Sequence, residues 1–193
     1  MDKDLLLRTI AEKGYDVGFG AKKTFATYDI IGKGPGWVGL ISGAVGIFAL
    51  IFEPLSAKVP SAILLIAGFA SVYLSFYRAE DYEKAANKLL SQYNRLKALY
   101  RSVQSGQDTV AAKAELDVID AEYYATTIGR QVFLSGWYAH YKLFAESQIG
   151  WMDEQLHFTW KDKWPVSARI TILIGLLGVG AGVIWLIAKR SFC

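Results

Sequence analysis

Apolar positions recur along this 193-residue chain in two ways. Three windows, 34–52, 59–77 and 170–188, contain no Asp, Glu, Lys or Arg, and each is 19 residues long. As a helix rising about 1.5 Å per residue, such a window reaches roughly 28 Å, close to the hydrocarbon thickness of a bilayer. One window would suit the buried helix of a soluble protein; three of equal length predict membrane spans. The first is not a secretory signal, because 33 residues with eleven charges precede it.

Between the windows the pattern becomes amphipathic. Tyr82, Ala86, Leu89, Tyr93, Leu96, Tyr100 and Val103 recur at steps of four and three, a heptad-type seam. The seam predicts that span two continues beyond the membrane as one long helix. Gln104, Ser105 and Gly106 end it, and Asp108 can cap a following helix built on Ala112, Leu116, Ile119 and Tyr123. Trp137, Tyr141, Phe144, Gln148, Trp151, Gln155 and Phe158 form a third seam. These helices predict an antiparallel bundle, within the chain or between subunits. Pro165 marks the start of span three, where a first-turn proline costs little.

The expected fold is therefore an all-α membrane protein. An amphipathic N-terminal arm covers 1–33 and a two-span hairpin covers 34–77. A long cytoplasmic helical bundle covers 78–169, followed by a third C-terminal span at 170–188 and an outer tail at 189–193. Orientation follows from Lys and Arg near the span ends. Lys22, Lys23, Lys33, Arg78, Lys84, Lys88, Lys161, Lys163 and Arg169 lie on the side of the bundle, against Lys58, Lys189 and Arg190 on the other. That asymmetry puts the N-terminus and bundle in the cytoplasm and the C-terminus outside. Trp37, Tyr77, Trp160, Trp164 and Trp185 sit near the boundaries, where aromatic rings with one polar atom favour the interface.

Span one carries Gly36, Gly39, Gly43 and Gly46 on one stripe, span two Ser61, Gly68, Ser71 and Ser75, and span three Gly175, Gly178 and Gly182. The glycines read as helix-packing positions, with Gly39 and Gly43 in a small-xxx-small spacing. The serine face has two readings, pore lining and ordinary packing. No Asp, Glu, Lys, Arg or His lies inside a span, which argues against a proton-coupled carrier and leaves a passive pore.

Composition narrows the rest. With 53% hydrophobic and 20% charged residues the chain is not disordered. One cysteine excludes an internal disulfide framework and a Cys-rich zinc module, and Cys193 reads as an inert terminal thiol. The net charge of +3 is too small for a genomic nucleic-acid binder. His140 and His157 lack metal-ligand spacing, so no metal is expected. No nucleophile elbow, phosphate loop or paired-carboxylate motif is present; no catalytic residue, enzyme activity or cofactor is expected. The densest mix of rings and cations is Arg130, Trp137, Tyr138, His140, Tyr141 and Lys142, which suits a nucleobase with its phosphate, although a bundle core with a polar rim is the simpler reading. Lys22 and Lys23 lie in an N-terminal segment that reads either as an interfacial helix facing lipid phosphates or as a packed arm.

Gly18-Phe-Gly-Ala-Lys-Lys-Thr-Phe-Ala-Thr-Tyr-Asp29 before a two-span hairpin resembles the SLATT domains. So do Phe133-Leu-Ser-Gly-Trp-Tyr-Ala-His-Tyr-Lys142 and Trp151-Met-Asp-Glu-Gln-Leu-His-Phe158. The resemblance covers about residues 5–165. Thr24 stands where the family often has His, and the third span is additional to the simplest two-span layout. The resemblance implies a pore-forming effector of bacterial anti-phage systems, set in the inner membrane. It would be a homo-oligomer, with four subunits as the working number from the symmetry common among channels. A nucleotide or short oligonucleotide made by a partner nucleotidyltransferase would control it through Lys22, Lys23, Arg130, Trp137, Tyr138, His140 and Lys142. The competing reading is a non-conducting membrane scaffold whose aromatic bundle recruits a cytoplasmic partner.

Overall fold

One helix organises the molecule. α1, Lys3–Ala49, runs 47 residues without a break, about 70 Å at about 1.5 Å per residue. The computed structural model describes residues 2–191, with the surroundings of residues described through Gly180 and at Gly182; the readings of Trp185 and Cys193 lie outside them. α1 is followed by a 3-10 turn at Glu53–Ser56, then α2 (Lys58–Leu74), α3 (Ala79–Gln104), α4 (Thr109–Thr126), α5 (Ser135–Glu146), α6 (Gly150–Leu156) and α7 (Val166–Ser191). No strand occurs among the described residues.

The two halves of α1 have opposite surroundings. Leu6, Ile10, Ala11, Val17, Ala21, Ala26 and Ile31 are buried, whereas Leu40, Ile41, Ile47 and Phe48 are exposed. The first half is the central rod of the bundle, packed mainly on α3, α5 and α6. The core joins Leu6, Ile10 and Val17 to Leu96, Tyr100 and Val103 of α3, Leu116 and Ile119 of α4, and Trp151 and Met152 of α6. The N-terminal glycines have their reason here. A Cβ at Gly14 would overlap the Trp151 ring, and one at Gly18 would lie 2.9 Å from Tyr93. Glycine lets two aromatic rings reach the backbone of α1. The N-terminal arm is therefore a packed rod that continues into span one, rather than an amphipathic helix lying on the membrane, and the boundary drawn at 33 falls inside a helix.

The seven seam residues of α3, from Tyr82 to Val103, are all buried. The helix ends at Gln104, Gly106 turns at φ +105°, and the Asp108 carboxylate caps α4 by accepting from Ala111 N at 3.2 Å. The expected continuation of span two into this helix is corrected: α2 and α3 meet at an angle of 68°. Phe76 N and Tyr77 N bond three residues back, to Tyr73 and Leu74, and Arg78 is extended. Glu80 and Asp81 then open the new helix, where carboxylates favour the positive end of the dipole. The seam begins at Tyr82, past this elbow, so its phase carried no information about the break.

The third seam is also corrected. It is divided between α5 and α6, and α5 buries Ser135, Ala139 and Leu143 rather than Trp137, Tyr141 and Phe144. These residues face the rod, leaving the aromatics to line a cavity.

The apolar half of α1 and α2 fold back on one another as a helical hairpin. The Leu74 side chain would lie 3.3 Å from a Cβ at Gly34, so the end of α2 returns to the start of the apolar half of α1. α1 is long and apolar enough to cross a membrane, and α2 passes the same test only together with α3 as a bent pair. α7 is apolar over Val166–Gly180, and its side chains from Ile170 to Gly180 are exposed.

Candidate functional site

α5 divides the ligand cluster expected from sequence. Its buried face lies on the rod, and the cluster falls on its two flanks. On one flank Lys142 Nζ is 3.1 Å from Asp29 Oδ2 and 4.7 Å over the Tyr138 ring. Lys33 Nζ holds the other Asp29 oxygen at 2.6 Å. Burial pushes the Asp29 carboxyl up, but the hydrogen bonds from Lys33 and Lys142 outweigh it and hold it below the usual carboxylate range. Burial, and then the nearby Lys142 charge, lower Lys22 from the ordinary lysine value. Lys23 is half-buried on the same helix. This flank is an ion-paired strut between α5 and the rod, one turn below the first span.

The other flank opens into a cavity of about 340 Å³ between α5 and the base of α7. Trp137, His140, Tyr141 and Phe144 line one wall, with Lys163 and Trp164 on the opposite wall. Trp137 Nε1 donates to Ser167 Oγ at 2.9 Å, tying α5 to the first turn of α7. The His140 ring meets Phe19 edge-on at 4.8 Å and stacks on Phe144 at 5.8 Å. Its Nδ1 is buried and has no hydrogen-bond partner among the described residues. Exposed Tyr141 and Trp164 offer ring faces and Lys163 a cation. The set suits a planar ligand with hydrogen-bonding edges and an attached anion. Sequence reasoning found Trp137 and His140 but read Trp164 as an interfacial anchor; the long step in sequence from α5 to Lys163 concealed the pairing.

Burial lowers the pKa of His140. Unfolded, this imidazole would titrate near its ordinary value of about 6.5. Below that pH the unfolded chain binds a proton that the folded chain resists, so stability falls as pH drops from about 6.5. Acid melting curves should show this loss, and His140→Phe, which keeps a ring among Phe19 and Phe144, should reduce it.

Arg130 belongs to a third place. Its guanidinium lies 4.5 Å over the Tyr77 ring at the elbow between α2 and α3. Its backbone oxygen accepts from Tyr82 Oη at 2.5 Å, while Thr27 Oγ1 donates to Gln131 Oε1 at 2.5 Å. With Ile31, Tyr82 and Val132 packed beside Leu74 and Tyr77, these bonds make a collar where the bundle meets the hairpin.

A second, polar cleft of about 290 Å³ lies at the far end of the bundle. Its groups are largely satisfied internally: Glu154 accepts from Tyr100 at 2.9 Å and Gln104 at 3.1 Å, and Lys97 donates to Gln148 at 3.1 Å. No group of three His, Cys, Asp or Glu that could hold a metal occurs among the described residues.

In the hairpin, Ser61, Ser71 and Ser75 turn their hydroxyls back to carbonyls of their own helix at 2.7–3.0 Å. Gly68, Gly39, Gly43, Gly46, Gly175, Gly178 and Gly182 have nothing within 4 Å of a Cβ position. Among the described residues nothing packs on these glycine positions.

The family model described as "SMODS and SLOG-associating 2TM effector domain 6" matches residues 1–172, ending three residues into the third apolar window. No curated protein and no solved structure matches the chain.

Proposed function

Because this chain belongs to the SLATT family of SMODS- and SLOG-associating two-span effector domains, we propose that it is a ligand-gated, homo-oligomeric pore of a bacterial conflict system. It has no enzyme activity of its own. The bundle faces the cytoplasm, and a nucleotide or short oligonucleotide from the associated nucleotidyltransferase opens the pore, depolarising the cell. The third apolar helix is a further span, with the C-terminus outside.

The observation that carries this reading is the continuity of α1. Its buried half is the core of the bundle and its exposed apolar half is span one. A movement of α5 or α6 against the rod is therefore a movement of a span. The rod, rather than the bent α2–α3 pair, is the lever. A nucleotide would stack in the cavity against Tyr141 and Trp164 with its phosphate at Lys163, and act only through different affinities for closed and open arrangements. Reversing a 1:99 population takes a ratio of about 10⁴ in those affinities. One hairpin cannot enclose a water path, and the uncovered glycine and serine faces supply surfaces for several copies to meet.

A scaffold would use the same anchor without conducting. Expression of the chain with its signal partner, followed by membrane potential, separates the two. Depolarisation is expected for a pore; an unchanged potential would favour the scaffold. Ser71→Leu with Ser75→Leu should alter conductance if that face lines the path, and should be neutral for an anchor.

A further inference from the structure

We infer that the loop 128–134 is a membrane wedge, with the side chains of Phe133 and Leu134 inserted in the lipid interface beside the hairpin. Phe133 is 83% exposed and Leu134 46% exposed, and neither belongs to a core cluster. Two large apolar side chains facing water are unfavourable unless something covers them. They do not hang on a loose segment. Thr27 holds Gln131, Tyr82 holds the Arg130 carbonyl, and Gln131 Nε2 donates to the Ile128 carbonyl at 2.7 Å. Ser135 N bonds back to Val132, and Trp137 N and Tyr138 N bond to Leu134. Leu134 itself sits at φ +68°, a left-handed conformation that a branched side chain disfavours. The fixed turn holds both side chains outward.

The place of the loop selects the partner. Val132 packs with Ile31, three residues before the first apolar window, and with Leu74 and Tyr77 at the end of the second. The loop tip thus stands beside the mouth of the hairpin, at the level where the spans begin. Arg130, three residues from Phe133, stays exposed beside the Tyr77 ring. Apolar side chains next to a cation and a tyrosine match the order of a phospholipid interface, acyl region then phosphate. The proposal rests on the membrane reading of the hairpin. It adds a fixed point: α5 begins at this loop, so one wall of the ligand cavity is tied to the leaflet as well as to the rod.

The test is nitroxide accessibility in the full-length protein, reconstituted in vesicles of phosphatidylethanolamine and phosphatidylglycerol. In a Cys193→Ser background, labels are placed by Phe133→Cys, by Ile66→Cys on exposed α2, and by Val110→Cys on exposed α4 at the far end of the bundle. The label at 133 is expected to favour oxygen over a water-soluble nickel chelate, ranking between positions 66 and 110. If 133 matches 110 while 66 still reads lipid, the wedge is wrong and the membrane reading stands. If 66 also reads water, both fall. A label at 133 shielded from both reagents would mean that protein covers the loop, which also overturns the proposal. Phe133→Ser should leave the melting temperature in detergent unchanged; a large loss would assign the side chain to the fold instead.

Discussion

Trp151→Ala is expected to cost the bundle about 3–5 kcal/mol, the range for removing a large buried aromatic. Against a total stability of about 5–15 kcal/mol, that would leave a marginal or unfolded bundle. Trp151 is the contact that joins α6 to both the rod and α3. Its ring lies over Gly14 of α1 and against Tyr93 and Tyr100, with centroids 5.8 and 5.3 Å away. Its Nε1 donates to Tyr93 Oη at 3.2 Å. Alanine would leave a cavity on three elements and leave Tyr93 Oη with only its 3.4 Å bond to the Gln148 carbonyl. Denaturant unfolding of the detergent-solubilised protein, followed by helical circular dichroism, gives the number. Gly14→Leu approaches the same contact from the other side and should destabilise by overpacking, by about 1–3 kcal/mol or more. A variant at either position with wild-type stability would mean that α6 is not docked on the rod.

The second large effect concerns transmission. Inserting Gly-Ser-Gly-Ser between Lys33 and Gly34 is expected to abolish signal-dependent conductance while leaving the bundle folded. The turn there is already the weakest of α1. Pro35 cannot donate to the Ile31 carbonyl, and Gly32, Gly34 and Gly36 surround it. A flexible insertion removes the remaining helical bonds through which rotation of the rod reaches the span. Unfolding of the bundle should match wild type, because its buried α1 residues end at Ile31. Retained gating would transfer the lever to the collar, through Arg130 and Tyr77.

The sequence revealed much of this molecule where a periodic pattern met a local stop signal. The heptad positions of α3, the turn at Gly106, the cap at Asp108 and the hairpin between the first two windows all follow from residues close together in the chain. The misreadings share a cause. A 68° elbow at Ser75–Arg78 leaves the spacing of apolar residues on either side unaltered, so periodicity reads straight through it. The Gly14 and Gly18 approaches depend on rings more than 70 residues away, which a local reading of the glycines cannot supply. The ligand cluster looked compact because Arg130, Trp137, Tyr138, His140 and Lys142 are close in sequence. A helix turns consecutive residues to different sides, and α5 sends Lys142 to Asp29 and His140 to the cavity. The resemblance carried by residues 5–165 held over nearly the same stretch as the family match to residues 1–172.

The central claim is that a signal read by the bundle opens a pore. The direct measurement is ion flux from liposomes containing the purified full-length protein, with and without the product of the associated nucleotidyltransferase. Flux is expected only with the nucleotide, and it should weaken when Trp164→Ala and Lys163→Ala remove the outer wall of the cavity. No flux under any nucleotide condition, together with an undisturbed membrane potential on expression in cells, would contradict it.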